Sequence, residues 1–205
     1  TASHSLLSGF LSRVNQSYPN LEIKLHTGDQ AFSLQRVSEG LEDIAIAAKP
    51  DKLDSNVLFK SLAITQLRFI APRHPSAVKT ALDAMRREGQ IDWSKLPWVL
   101  PERGFTRTKL ERWFARQQMT PNVYAQVSGH EAIASMVSLG CGVALVPELV
   151  VANSPAMDGI ELLDIADDQS GDMSVGLDEF EIGLCVLKRR IRCLLYTSDA
   201  ADDQL

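Results

Sequence analysis

Two histidines stand close to serines where the apolar pattern predicts the starts of helices. The pairs are Ser3 with His4, and Ser128 with His130. At a helix start the backbone N–H groups lack intrahelical partners, so a nearby hydroxyl or imidazole can help them bind an anion or a ligand oxygen. Glu131 is not followed by a second histidine at helical spacing, which excludes the zinc-protease motif. These positions predict a site for a small oxygen-rich ligand and no metal site.

Two further loops follow predicted strands and carry polar groups suited to the same ligand. One is Thr27-Gly-Asp-Gln30, and the other is Pro101-Glu-Arg-Gly104, whose arginine can pair with a carboxylate bidentately. Other interpretations stay open: the serines as helix N-caps, the histidines as structural polar groups and the arginine as a solvated loop charge. The candidate ligand contacts are Thr1, Ser3, His4, Gly28, Asp29, Gln30, Arg103, Ser128, Gly129 and His130.

The sequence carries no arrangement typical of an enzyme. It lacks the Gly-x-Ser-x-Gly and P-loop motifs, and Gly140-Cys-Gly142 lacks the third glycine of a dinucleotide-binding loop. The three cysteines (Cys141, Cys185 and Cys193) form no Cys-x-x-Cys pair. Two of them lie in apolar runs, which favours buried thiols in a reducing compartment over reactive or metal-binding cysteines. We therefore predict a binding protein with no catalytic residues and no cofactor.

Composition excludes several other classes of protein. Of the 205 residues, 45% are hydrophobic and 23% are charged, which is typical of a soluble globular chain. The net charge of −5 comes without a basic stripe that could follow a phosphate backbone, so this chain is not expected to bind nucleic acid itself. No apolar run is long enough to span a membrane and no signal peptide is visible, which favours the cytoplasm. Because the chain begins with Thr1, we expect it to be a fragment.

Helices alternate along the chain with short apolar strands, a pattern that predicts an α/β fold with mostly parallel sheets. Apolar spacing between Leu6 and Val14 predicts a first helix, capped by Ser3 or Ser5 and ended by Pro19. Alternation predicts a strand over Leu21, Ile23 and Leu25, and a continuous apolar run predicts a strand covered on both faces at 44–48. Further strands are predicted at 67–71, 98–100, 123–127, 143–146, 160–165 and 180–187, and further helices around Leu34, at 77–88, around Leu110 and around Ile133.

The last thirteen residues, 193–205, do not continue this pattern. Cys193-Leu-Leu-Tyr-Thr-Ser-Asp-Ala-Ala-Asp-Asp203 resembles the conceptual translation of a transposon-end sequencing adapter. We interpret it as an artefact tail and exclude it from the fold. A genuine disordered C-terminus is the alternative.

Four phrases, in order along the chain, resemble the effector-binding domain of LysR-type transcription regulators. They are Tyr18-Pro-Asn-Leu-Glu-Ile, Gly40-Leu-Glu-Asp-Ile-Ala-Ile46, Leu67-Arg-Phe-Ile-Ala-Pro-Arg-His-Pro75 and Met136-Val-Ser-Leu-Gly-Cys-Gly-Val-Ala-Leu-Val-Pro147. The resemblance implies two Rossmann-like lobes joined by two crossover strands, the fold of type 2 periplasmic binding proteins. Lobe I would comprise residues 1–66 and 150–192, with the first strand and last helix of the family missing. Lobe II would comprise residues 67–149.

The resemblance also implies a function. Ser128-Gly-His-Glu-Ala-Ile-Ala-Ser-Met-Val and Thr1-Ala-Ser-His-Ser resemble the members that regulate branched-chain amino-acid biosynthesis. The expected effector is a small 2-hydroxy-3-keto acid of the acetolactate type, bound between the lobes. The family further implies a homodimer or tetramer, paired through the first helix and the helix at 132–139, with DNA bound only through an N-terminal winged helix-turn-helix outside this chain. The alternative is a periplasmic solute-binding protein for a small organic or amino acid.

Overall fold

A computed structural model describes residues 7–26, 30–50, 52–163 and 179–191. Within these ranges the chain forms two compact units. The smaller contains the described residues of 29–64 and 180–205, and the larger contains those of 1–28 and 65–179. Residues 193–205, interpreted above as an artefact tail, lie outside the described residues.

Helices and strands alternate through most of the described chain, as predicted. The helices are α1 (Ser8–Ser17), α2 (Gln30–Ser38), α3 (Ala77–Arg87), α4 (Phe105–Arg116), α5 (His130–Ser138) and α6 (Glu148–Ala152), with a 3-10 turn at Met157–Gly159. The strands are β1 (Ile44–Ala48), β2 (Val57–Thr65), β3 (Leu67–Pro72), β4 (Pro97–Pro101), β5 (Asn122–Val127), β6 (Ala144–Pro147), β7 (Ile160–Leu163) and β8 (Phe180–Leu187).

The smaller unit packs helix α2 against a three-stranded sheet in the order β1-β8-β2. Strands β1 and β8 run antiparallel, with Ile44 opposite Val186. Because side chains alternate across a strand, one face of the sheet joins α2 in a small apolar core. That core contains Val37, Ala45, Ala47, Val57, Cys185 and Leu187.

The described strands of the larger unit form one parallel and two antiparallel pairings. Strands β4 and β5 are parallel neighbours joined by α4, a βαβ unit, whereas β3 lies antiparallel to both β6 and β7. A parallel bridge between Trp98 and Val143 links the two groups of strands, with the Val99 N–H donating to the Val143 carbonyl at 2.9 Å. Gly142 permits this approach, since a Cβ there would lie 2.5 Å from the Pro97 carbonyl oxygen. The loops that follow β4 and β5 leave the opposite, carboxyl ends of these strands.

Five aromatic rings form the centre of the larger unit. Phe69, Trp93, Trp98, Trp113 and Phe114 contact one another, with ring centroids 4.9–5.9 Å apart. The Trp98 indole N–H donates to the Trp93 carbonyl at 2.9 Å. These rings include all three tryptophans of the chain. Such large buried rings contribute more apolar area than any other side chains, so they anchor α4 against β3 and β4.

A second apolar cluster covers the other side of the same strands. Helix α5 contributes Ile133 and Val137, which pack with Ile70 on β3 and Val146 on β6. Val150, Val151 and Ile160 belong to the same cluster, so α6 and β7 pack within the larger unit. The predicted lobe boundaries, 1–66 with 150–192 and 67–149, stay a prediction.

Ion pairs link helix α3 to strand β7. Lys79 Nζ lies 2.6 Å from Asp83 Oδ1 and 3.3 Å from Glu161 Oε2, and Arg86 Nη1 lies 3.0 Å from Glu161 Oε1. The bond with Lys79 lowers the pKa of Asp83, and the same bond raises the pKa of Lys79. Ser76 caps the helix by accepting the Lys79 N–H at 3.1 Å.

Several sequence-based predictions were wrong in detail. Residues 21–26 are not a strand but an exposed, irregular segment, because the alternating Leu21, Ile23 and Leu25 have no described neighbouring strand to pair with. The N-cap of α1 is Leu7, which makes no side-chain capping bond, and the predicted caps Ser3 and Ser5 lie outside the described residues. Ile44 is 55% exposed, so β1 is not covered on both faces.

The prediction of mostly parallel sheets was also wrong for the described strand pairings. Parallel neighbours need a crossover connection, and α4 supplies one between β4 and β5. Strand β3 instead follows β2 directly, with only Gln66 between them, and runs opposite to both of its neighbours. Strand β2 itself was missed, because Lys60 and Ser61 interrupt its apolar residues and no regular alternation marks it.

Candidate functional site

The parallel pairing of β4 and β5 places two of the predicted loops side by side. Pro101 lies opposite Val127 at the carboxyl ends of both strands. Beyond that point the Glu102 N–H donates to the Val127 carbonyl at 3.2 Å. The loops that follow, 102–104 and 128–129, therefore leave the same edge of the sheet and lead into α4 and α5. In an open α/β sheet this edge is where ligands bind.

Glycines, and not side chains, stand at the N-caps of both helices. Gly104 caps α4 with a φ of +95°, and Gly129 caps α5 with a φ of +92°. Neither glycine supplies a capping side-chain hydrogen bond. A helix start favours an anion by about 0.3–1 kcal/mol. The interpretation of Ser128 as the N-cap is corrected: Gly129 holds that position, and Ser128 is an exposed loop residue.

His130, the first residue of α5, contacts the first turn of α4. Its Nε2 lies 3.0 Å from the Thr106 hydroxyl oxygen, which joins the two helix starts directly. Thr106 is 3% exposed. Burial lowers the pKa of His130 to about 4, and the neighbouring Glu131 carboxylate opposes this shift. At neutral pH the ring is therefore uncharged and acts as a hydrogen-bonding group.

Two arginines lie close to the loop at 102–104, Arg107 in the first turn of α4 and Arg103 in the loop. Arg107 donates from Nη1 to the Pro101 carbonyl at 3.2 Å, which ties the end of β4 to the first turn of α4. Its Nε donates to Glu111 Oε1 at 2.6 Å within the same helix. Arg103 lies in the loop itself, with an exposed side chain. Its position beside the two helix starts suits a guanidinium that would meet an acidic ligand.

The structure brings together part of the predicted set. Arg103, Ser128, Gly129 and His130 lie on the two adjacent loops and the start of α5. Gln30 is the first residue of α2 in the smaller unit. Five predicted contacts lie outside the described residues: Thr1, Ser3, His4, Gly28 and Asp29.

Thr106 was missed by the sequence analysis, although a signal was present. It stands four residues before Leu110 and seven before Trp113, both buried. That spacing puts it on the inward face of α4, where a polar side chain needs a partner. A polar residue on an apolar stripe at a helix start is therefore the pattern to look for.

Among the described residues, no group of three metal-ligating side chains comes together, and no helix is long and apolar enough to cross a membrane. A surface depression of about 520 Å³ is lined by Thr80, Asp83, Arg86 and Arg87 on α3. It contains none of the predicted contacts and is open and highly charged, so we assign it no ligand.

Comparison with known proteins supplies the family. The LysR substrate binding domain model matches residues 1–192. The HTH-type transcriptional activator IlvY of Salmonella typhimurium LT2 is 38% identical over 194 residues, covering 93% of this chain and 62% of that protein. The HTH-type transcriptional regulator IlvY of Escherichia coli K12 is also 38% identical over 194 residues, covering 93% and 61%. The chain thus spans about six-tenths of the length of these relatives.

A solved structure confirms the predicted fold class. The effector-binding domain of QuiR in complex with shikimate superposes with a TM-score of 0.62 at 14% identity, over 92% of this chain and 83% of that one. The relatives of higher identity are transcription regulators and not enzymes, in agreement with the sequence-based expectation, and they give no support to the solute-binding alternative. The chain belongs to the LysR substrate-binding domain family.

Proposed function

We propose that this chain is the effector-sensing domain of a LysR-type regulator, and that it binds a small 2-hydroxy-3-keto acid of the acetolactate type. The observation that carries the proposal is the pair of glycine-capped helix starts joined by the contact between Thr106 and His130. A sensor needs a site that binds a ligand without transforming it. Backbone N–H groups and a neutral imidazole meet that need.

The chemistry of the loops fits such an acid. The two helix starts and Arg103 favour a carboxylate, while the neutral ring of His130 and the hydroxyl of Ser128 suit a keto or hydroxyl oxygen. The likeness to IlvY proteins supports the link with branched-chain amino-acid biosynthesis. Binding would control transcription by shifting an equilibrium between two states of the regulator, since a ligand acts only through its different affinity for the two states.

The proposed partners follow from the family. We propose a cytoplasmic homodimer or tetramer, with DNA bound through the helix-turn-helix segment that the relatives carry by name. The described residues would contribute α1 and α5 to pairing.

Isothermal titration calorimetry of the purified chain with acetolactate tests the proposal. We expect saturable binding that Ser128→Ala and His130→Gln each weaken by about tenfold, the value of one good hydrogen bond. His74→Gln removes an exposed histidine from the same unit and serves as the matched control. A chain that is folded by circular dichroism but does not bind acetolactate would contradict this effector. Binding that neither site variant weakens would contradict the site.

A further inference from the structure

Thr106 is a buried hydroxyl whose burial needs explanation. It is 3% exposed in the first turn of α4, on the face that also carries Leu110 and Trp113. A hydroxyl taken out of water without a hydrogen bond destabilises the fold, and an apolar side chain of the same shape would avoid that cost. The bond to His130 satisfies the hydroxyl. The buried Thr106 hydroxyl therefore has His130 as its hydrogen-bond partner.

The contact joins two loops that are distant in sequence. Thr106 and His130 are 24 residues apart and belong to different helices. The pairing of β4 with β5 brings the helix starts together, and the glycine caps at 104 and 129 turn the chain into each helix. A hydroxyl in the first turn of α4 thus lies within hydrogen-bond distance, 3.0 Å, of the ring at the start of α5.

The bond couples the roles of the two ring nitrogens. A neutral imidazole has one nitrogen that donates and one that accepts. If the Thr106 hydroxyl donates to Nε2, then Nδ1 carries the proton; if the hydroxyl accepts from Nε2, then Nδ1 is an acceptor. Because burial lowers the pKa of His130 to about 4, the ring stays neutral near neutral pH. One ring nitrogen then donates and the other accepts throughout this pH range.

We propose that Thr106 is a positioning residue of the effector site: its hydroxyl holds the orientation of His130 and ties the tautomer of the ring to their hydrogen bond, so that His130 binds an uncharged keto or hydroxyl oxygen of the effector. The inference rests on the proposed function. Two kinds of protein group would then bind the two parts of the effector. The helix N–H groups and Arg103 would bind its carboxylate, and the His130 ring held by Thr106 would bind its neutral oxygen. Selectivity among small acids would then depend on a residue that is itself shielded from solvent.

Two variants and two measurements on the whole chain test this inference. Thr106→Val keeps the shape and removes the hydroxyl, while Thr106→Ser keeps the hydroxyl. Long-range proton–nitrogen NMR spectra report the tautomer of His130 without ligand, and calorimetry reports acetolactate affinity. We expect Thr106→Val to alter the tautomer of His130 and to weaken binding by about tenfold. We expect Thr106→Ser to restore the spectrum and to bind within about threefold of the unchanged chain.

The outcomes separate this inference from the proposed function. If the unchanged chain binds acetolactate and Thr106→Val binds equally well with the same His130 spectrum, the positioning role is overturned. Failure of Thr106→Ser to restore both signals, in a variant that circular dichroism shows to be folded, overturns it as well. If the unchanged chain does not bind acetolactate, the proposed effector is wrong. The proposed role of Thr106 in binding that effector is then wrong as well.

Discussion

At the scale of single residues, the same side chain type takes different roles according to its surroundings. His130 is partly buried against Thr106 and has a lowered pKa, whereas His74 is exposed on a loop. The sequence places both next to turn-forming residues. Only the contact between the first turns of α4 and α5 distinguishes them, and that contact joins residues far apart in the chain.

The lowered pKa of His130 makes stability depend on pH. As pH falls below 6.5 the unfolded chain protonates this histidine first, and the folded chain follows near pH 4. The unfolded state binds more protons in this window, so the stability contributed by the neutral ring is complete above pH 6.5 and is lost as the pH falls toward 4. The contribution is on the order of 3 kcal/mol at most.

Urea unfolding between about pH 7 and about pH 4 measures this dependence. Since other groups also titrate in this range, the test is a difference between variants. We expect His130→Gln to flatten the curve relative to the unchanged chain, and His74→Gln to leave its shape as it was. Parallel curves for the unchanged chain and His130→Gln would show that His130 is not held neutral.

At the scale of elements, sequence patterns predicted best where local and tertiary preferences agree. Strands ended by proline, such as those closing at Pro72, Pro101 and Pro147, lie where predicted, because proline cannot continue the ladder. The alternation at 21–26 resembled a strand, but a strand forms only with a neighbour. Strand β2 has a neighbouring strand, β8, although its apolar and polar residues do not alternate regularly. Pairing partners, and hence the direction of the strands, depend on contacts that no local window contains.

The candidate site was predictable to a similar extent. The loops after β4 and β5 follow from strand-to-helix transitions, and parallel pairing then places them together. Thr106 depends on a contact across 24 residues, so a search for polar groups at loop positions passes over it.

Gly142 provides a test of the close approach between β4 and β6. The Pro97 oxygen that a Cβ would meet at 2.5 Å also accepts the Val143 N–H at 2.8 Å, so it cannot move away without breaking a ladder bond. We expect Gly142→Ala to lower the free energy of unfolding by about 1–3 kcal/mol, as overpacking does. Urea unfolding followed by tryptophan fluorescence measures it.

Gly89 offers a control for the effect of replacing a glycine. Its φ is +82° and a Cβ there would meet no atom within 4 Å. Asparagine tolerates this backbone conformation, so Gly89→Asn should change the stability much less. Equal stabilities of Gly142→Ala and the unchanged chain would contradict the close approach.

At the scale of the whole molecule, the family likeness leads to a prediction about assembly. Leu139 follows α5 and is 80% exposed, next to the proposed pairing surface. If that surface pairs, a charge at this position should oppose burial of the interface. We expect the unchanged chain to sediment as a dimer and Leu139→Glu to weaken dimerisation by about tenfold or more.

Met157→Glu is the matched control for this prediction. Met157 is 45% exposed and lies outside α1 and α5. Analytical ultracentrifugation over a range of concentrations compares the three chains. A monomeric unchanged chain, or equal dimerisation by Leu139→Glu, would contradict the proposed surface.

The aromatic cluster of the larger unit also labels the molecule optically. Trp93, Trp98 and Trp113 are the only tryptophans of the chain, and all three lie in the unit that carries the paired loops. Light absorbed and emitted by tryptophan therefore reports on that unit alone, while far-ultraviolet circular dichroism also records α2, β1, β2 and β8. Superimposable melting curves from the two signals would mean that the units fold as one cooperative body, and separated curves would give the stability of each unit in turn.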